Sequence, residues 1–171
     1  MKHLELFAGI GGFRQALDLL EKDGVMSFSN IGYSEIDKNA VKTYKACYNP
    51  DNSEKEIGDI VAFTKNRDNI TSLDRFSLLT GGFPCQAFSM MGHQKGFAED
   101  RGQMFFRIID IIEALGEEKP KYLLLENVKN LYTHDSKRTY RVIRGKLEEL
   151  GYHVYDDIFN TADFHLPQKR N

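Results

Sequence analysis

The stretch Glu5-Leu6-Phe7-Ala8-Gly9-Ile10-Gly11-Gly12-Phe13 decides the fold. An apolar run from His3 to Ala8 suits a buried strand, breaks at the glycines, and passes into helical spacing from Phe13 to Glu21. Strand, glycine turn and helix in that order open a parallel α/β unit. Glycine lets a ligand approach the backbone, and the helix start offers unpaired N–H groups and a partial positive charge, so an anionic group is expected there. The glycines depart from the G-x-G-x-x-G spacing of dinucleotide-binding loops, which weighs against a nicotinamide-dependent oxidoreductase.

The pattern repeats outward from this turn. Strands are predicted at Asn30 to Glu35, Glu56 to Ile60, Phe76 to Thr80, Tyr122 to Leu125 and His153 to Asn160, and helices at Lys38 to Tyr48, Met104 to Leu115 and Thr139 to Leu150. Gly151 closes the last helix as a C-terminal glycine often does. Alternation of this kind predicts a mainly parallel sheet covered by helices on both faces, with ligands at the carboxyl ends of its strands. The long connection from Gly81 to Gly102, carrying Gly92 and Gly96, suits a lid over a site or an ordinary surface loop.

Bulk properties narrow the class. A chain of 171 residues, 41% hydrophobic, buries one core, so a single domain over 1–171 is expected. Two cysteines, Cys47 and Cys85, are too few for a disulfide framework, and no signal peptide or membrane span is evident, so a reducing cytoplasm is expected. The net charge of -2 gives no overall attraction to a polyanion. Lys137, Arg138, Arg141, Arg144 and Lys146 are spaced as a solvated helix face.

Four side chains fall where strands end. Glu35 is placed to accept hydrogen bonds from a ribose diol, or simply to be solvated. Asp59 suits an exocyclic adenine amine, or a turn or helix cap. Cys85, in Gly81-Gly82-Phe83-Pro84-Cys85-Gln86, is either a projecting thiol or an inert buried one. Glu126, in Glu126-Asn127-Val128, would carry a proton for a ring nitrogen if partly withdrawn from water. The five histidines show no metal-ligand spacing with the cysteines, so no metal is expected.

Taken in order, these pieces resemble the motifs of the DNA cytosine-5 methyltransferases, particularly the bacterial restriction-modification type, over nearly the whole chain. Phe7-Ala8-Gly9-Ile10-Gly11-Gly12 is similar to the family's cofactor loop, Glu35 to its ribose-binding acid and Asp59-Ile60 to its adenine contact. Phe83-Pro84-Cys85-Gln86 is similar to its nucleophile motif, Glu126-Asn127-Val128 to its cytosine-holding motif, and Gln168-Lys169-Arg170 to the start of its glutamine-arginine motif. The resemblance implies a Rossmann-like fold that binds S-adenosyl-L-methionine through Phe7, Ala8, Gly9, Gly11, Gly12, Glu35, Ile36, Asp59, Ile60 and Pro84. It implies Cys85 as nucleophile, Glu126 at cytosine N3, Arg170 supporting the pocket, and Gln86, Ser89, Arg101, Asn127 and Gln168 toward double-stranded DNA or the loop closing over it.

In that family a further strand, a target-recognition domain and a final helix follow the glutamine-arginine segment. The expectation is therefore a sheet with unpaired edges, completed by a longer native chain or a separate C-terminal subunit, or else prone to self-association. The alternative is an inactive S-adenosylmethionine-binding fragment or one subunit of a split methyltransferase. An RNA substrate is also compatible, since related enzymes act on transfer RNA.

Overall fold

The computed structural model describes residues 1–49, 51–84 and 104–164, with only the backbone at 135. Its strands are β1 (Lys2–Leu6), β2 (Ser29–Ser34), β3 (Lys55–Glu56), β4 (Leu78–Gly82) and β5 (Tyr122–Glu126). Its helices are α1 (Gly12–Lys22), α2 (Lys38–Tyr48), α3 (Ile60–Thr64), α4 (Arg67–Thr71), α5 (Met104–Leu115), α6 (Asn130–Thr133) and α7 (Arg138–Glu149). The chain groups into two compact units, Met1–Pro84 with Gln103–Glu126, and Cys85–Gly102 with Asn127–Asn171.

The first unit is a wholly parallel sheet in the order β3-β2-β1-β4-β5. The chain lays down β1, β2 and β3 in one direction and then returns to place β4 on the other side of β1. The strand order thus reverses between β1 and β4, and parallel α/β sheets bind ligands outside the carboxyl ends of their strands at such a reversal. The turn after β1 holds Gly9, and the segment after β4 holds Phe83 and Pro84.

Leu4 and Leu6 of β1 are wholly buried on one face, and Leu79 of β4 is equally buried. Phe105, Ile108, Ile111 and Ile112 give α5 a buried side, against which α3 and α4 pack. The opposite face carries His3 and Glu5, both fully buried among groups from α1, α2 and β2. Asp37 caps α2 by accepting from the N–H groups of Asn39 and Ala40 at 2.9 and 2.8 Å.

Two predicted strands are corrected. The segment Glu56 to Ile60 is extended only at Lys55–Glu56. Gly58 then turns to φ +69, and the Asp59 side chain accepts from Val61 N–H at 2.8 Å, so Ile60 begins α3. His153 to Asn160 forms no strand. A strand must satisfy its backbone groups on a neighbour, and no described strand pairs with this segment. Asp156 is drawn instead to Tyr140 and Arg144 of α7.

In the second unit, α6 and α7 pack through a 3-10 turn at His134–Lys137, and Thr139, Ile143 and Leu147 supply the buried stripe of α7. Among the described residues no helix is long and apolar enough to cross a membrane.

Candidate active site

The turn after β1 is tied to β2 at two points. Ala8 N–H donates to Ser34 C=O at 2.9 Å, and Gly9 N–H donates to Glu35 Oε2 at 2.8 Å. The second carboxylate oxygen of Glu35 accepts from Ile36 and Asp37 N–H, both at 2.8 Å. Three backbone donors therefore fix one carboxylate between the glycine turn and the start of α2. A carboxylate oriented in this way is ready to receive hydroxyl donors without first ordering itself.

The glycines divide by role. A side chain at Gly11, where φ is +92, would place its Cβ 2.5 Å from Tyr48 Cε2, so Gly11 serves packing. Ala8, 6% exposed, serves the same cluster with Tyr33 and Tyr44. Gly9, at φ +56, and Gly12 face open space: nothing lies within 4 Å of where either Cβ would be. Phe7 takes a left-handed backbone at φ 55, a conformation that costs a non-glycine residue ~1–2 kcal/mol. Gly81 on β4 leaves room beside it, since a Cβ there would lie 3.5 Å from Phe7 Cδ2.

Ile10 and Ile36 are 65% and 73% exposed at the ends of β1 and β2, apolar surface that a nucleoside can cover. Asp59 is exposed and spends one oxygen on its cap. Its loop is held to β2 by Ser34 Oγ–H donating to Gly58 C=O at 2.8 Å and by Ile57 N–H donating to Tyr33 C=O at 2.8 Å. Ile60 is buried as the first residue of α3. The structure thus gathers Phe7, Gly9, Glu35 and Ile36 at one edge, with Asp59 one strand farther out, whereas Ala8, Gly11 and Ile60 support them from within.

Glu126 ends β5 in register with Gly82 of β4. A Cβ at Gly82 would lie 3.0 Å from Glu126 Oε2, so the bare glycine makes the space that this carboxylate occupies. The expectation of a carboxylate already withdrawn from water is not met, because Glu126 is exposed. Pro84 is exposed at the end of the β4 segment. Asn127 accepts from Val128 N–H through its own side chain at 2.9 Å, at the start of the second unit. Cys85, Gln86, Ser89, Arg101, Gln168 and Arg170 lie outside the described residues.

One functional group was not legible in the sequence. Glu5, wholly buried on β1, directs its carboxyl toward the start of α1, where Gly11 stands at the cap position and supplies no capping side chain. Burial pushes Glu5 up to about 7, while the Phe13 and Arg14 backbone N–H groups and the Arg14 charge oppose that rise. His3 is the neighbour of Glu5 on the same face, with Nε2 2.8 Å from Thr80 Oγ1, and burial brings it down to about 4. Glu54, held by Arg14 at 3.3 Å, Asn30 at 2.7 Å and Tyr44 at 3.1 Å, completes the cluster. The only advance signal was an acid and a histidine alternating inside an apolar run.

The reversed parallel sheet with ligand-ready loops at its switch point is the methyltransferase type of fold. A solved structure of the Dnmt2 methyltransferase of S. pombe superposes with a TM-score of 0.72 over 99% of this chain and 46% of that one, at 21% identity. The description C-5 cytosine-specific DNA methylase matches residues 1–171, and the chain belongs to that family. It is 44% identical over 169 residues to the type II methyltransferase M1.ScrFI of Lactococcus lactis subsp. cremoris, and 43% identical over 169 residues to M.HaeII of Haemophilus aegyptius. Each match takes in 99% of this chain but only 39% and 48% of the two relatives, so the chain spans less than half their length.

Proposed function

We propose that this chain forms the methyl-donor-binding and catalytic part of an enzyme that methylates C5 of cytosine in double-stranded DNA. The observation that carries the reading is the Gly9–Glu35 tie at the switch point, with open space above Gly9 and an acid, Glu126, at the end of the strand beside β4. An adenosyl group fits this edge: Glu35 receives the ribose hydroxyls, Phe7 and Ile36 flank the base, and Asp59 accepts from its exocyclic amine. S-adenosylmethionine supplies an electrophilic methyl group on a sulfonium.

Cytosine C5 is too electron-poor to attack such a methyl unaided. The Cys85 thiolate adds to C6, forming a C–S bond and moving the ring electrons toward C5, while Glu126 stabilises the charge that develops at N3. C5 would then take the methyl group as the sulfonium carbon–sulfur bond breaks, leaving S-adenosyl-L-homocysteine. Loss of the C5 proton and departure of the Cys85 thiolate restore the ring. These atoms are inaccessible inside a stacked duplex, so the target nucleotide must be turned out. Burial of Glu126 would then come from the inserted base; by the family resemblance Ser89 and Arg101 act in the loop and Arg170 in support of the pocket.

The test is a covalent trap. The chain is incubated with S-adenosylmethionine and DNA carrying 5-fluorocytosine, alone and with the C-terminal region of a longer relative supplied as a second chain. A stable adduct that disappears in Cys85→Ser supports the reading. No adduct in either arm overturns it. Calorimetric cofactor binding with an adduct only in the second arm would identify the chain as one part of an enzyme completed by a C-terminal region.

A further inference from the structure

The cations of the second unit are sorted. From 129 to 141 there are four, Lys129, Lys137, Arg138 and Arg141, against the single acid Asp135, whereas from 142 to 163 Arg144 and Lys146 stand against Glu148, Glu149, Asp156, Asp157 and Asp163. The structure separates the two sets by what they touch. Arg144 is bound to Glu148 at 2.8 Å and to Asp156 at 3.4 Å, and Lys146 to Glu149 at 2.6 Å. Among the described side chains, Lys129, Lys137 and Arg141 meet no carboxylate within ion-pair distance. All four of the first set are exposed.

Helix geometry brings two of them together. Residues three apart share a face, so Arg138 and Arg141 line the side of α7 opposite its buried Thr139, Ile143 and Leu147, while Lys137 stands just before the helix in a left-handed backbone. Lys137 is held in place over the Tyr132 ring, 4.6 Å from its centre, and Tyr132 in turn packs against Tyr140 with ring centres 4.9 Å apart. This order of charge works against the helix itself. The dipole favours acids in the first turn and bases in the last, yet α7 has no acid in its first turn and, beside Lys146, carries Glu148 and Glu149 at its end. Helix stability does not account for cations in this position, whereas an external polyanion does.

We propose that this exposed basic segment, Arg138 and Arg141 on α7 with Lys137 and Lys129 before it, is a contact surface for the phosphate backbone of duplex DNA, additional to the cytosine pocket. The choice of DNA as partner rests on the function proposed above. The surface holds the duplex without reading its sequence, since point charges on phosphates carry no base information.

The experiment measures binding of the chain to a labelled duplex between 50 and 200 mM salt, by fluorescence anisotropy. Each phosphate contact contributes ~0.9 to the slope of log affinity against log salt, so Lys137→Ala/Arg141→Ala is expected to lower the slope by roughly 2 and affinity by roughly 10- to 100-fold at low salt. Its melting temperature should stay near that of the wild type, because relief of charges that opposed the dipole offsets the lost contact between Lys137 and Tyr132. Arg144→Ala/Lys146→Ala removes the same formal charge from residues already in ion pairs and should keep the wild-type slope. An unchanged slope in the first variant, an equal loss in the second, or no duplex binding by the wild type at 50 mM salt overturns the proposal. Calorimetry with S-adenosylmethionine on the same preparations, together with the 5-fluorocytosine trap, separates this failure from that of the proposed reaction.

Discussion

Gly9 N–H donates to Glu35 Oε2 at 2.8 Å, joining the turn after β1 to the end of β2 through one carboxylate. The bond makes the glycine turn and the acid proposed to bind ribose a single element. Glu35→Ala removes the acceptor for Gly9, Ile36 and Asp37 together with the proposed partner for the ribose hydroxyls. Hydrogen bonds to a charged group contribute ~1.5–3 kcal/mol, so the dissociation constant for S-adenosylmethionine should rise roughly 10- to 100-fold. Glu35→Gln keeps an acceptor and should fall between. Calorimetry giving wild-type affinity for Glu35→Ala would remove Glu35 from the binding edge.

Gly9 and Gly11 are two residues apart and should fail differently. Gly11→Ala forces a Cβ to 2.5 Å from Tyr48 in a left-handed backbone, which predicts a loss of stability of ~2 kcal/mol or more. Gly9→Ala meets no atom within 4 Å, so its stability cost is the backbone term alone, ~1–2 kcal/mol. The new methyl there enters the space assigned to the adenosyl group. Thermal melts and cofactor titration of both variants check the contrast. Weaker binding in Gly11→Ala than in Gly9→Ala, once corrected for the folded fraction, would reverse the assignment.

How much the sequence disclosed depended on whether a local signal was enough. The helix Lys38–Tyr48 follows from its spacing, and its observed bounds match the expected ones. β1, β2, β4, β5, α5 and α7 lie within a few residues of expectation because each has its own apolar period. His153 to Asn160 has strand composition, but a strand is made by its neighbour, and composition does not report one. Asp59 was read both as an adenine contact and as a cap; the cap is in place, and the adenine contact stays a proposal. Glu5 escaped notice because its role comes from what folds over it, the first turn of α1.

Gly82 and Glu126 face each other across β4 and β5, and the proposed role of Glu126 depends on where its carboxylate sits. In Gly82→Ala the Cβ arrives 3.0 Å from Oε2, and the flexible end of the glutamate gives way by a few tenths of an ångström. A shift that small leaves folding and cofactor binding near wild type. It should slow formation of the 5-fluorocytosine adduct about tenfold, since small misplacements of catalytic groups are costly. Wild-type adduct rates in Gly82→Ala, or cofactor affinity lost in parallel, would argue that Gly82 does not position Glu126.

His3 and Glu5 should make opposite contributions to the pH dependence of stability. Burial raises Glu5 from its ordinary 4.5 to about 7. Between those values the folded protein holds a proton that the unfolded chain has released, so this contribution is complete below pH 4.5 and falls as pH rises toward 7, by at most ~1.4 kcal/mol per unit. His3 is lowered from its ordinary 6.5 to about 4. Across that interval the unfolded chain binds a proton that folded His3 refuses, so its contribution rises with pH at the same limiting slope. The two nearly cancel from about pH 4.5 to 6.5. Glu5→Gln should therefore become more stable with rising pH across this window relative to wild type, and His3→Gln less stable. Asp110, also raised by burial, is common to all three proteins and drops out of the comparison. Urea unfolding at pH 4.5, 5.5 and 6.5 gives the slopes. Identical slopes in the two variants would mean that both groups titrate in the folded protein as they do in the open chain.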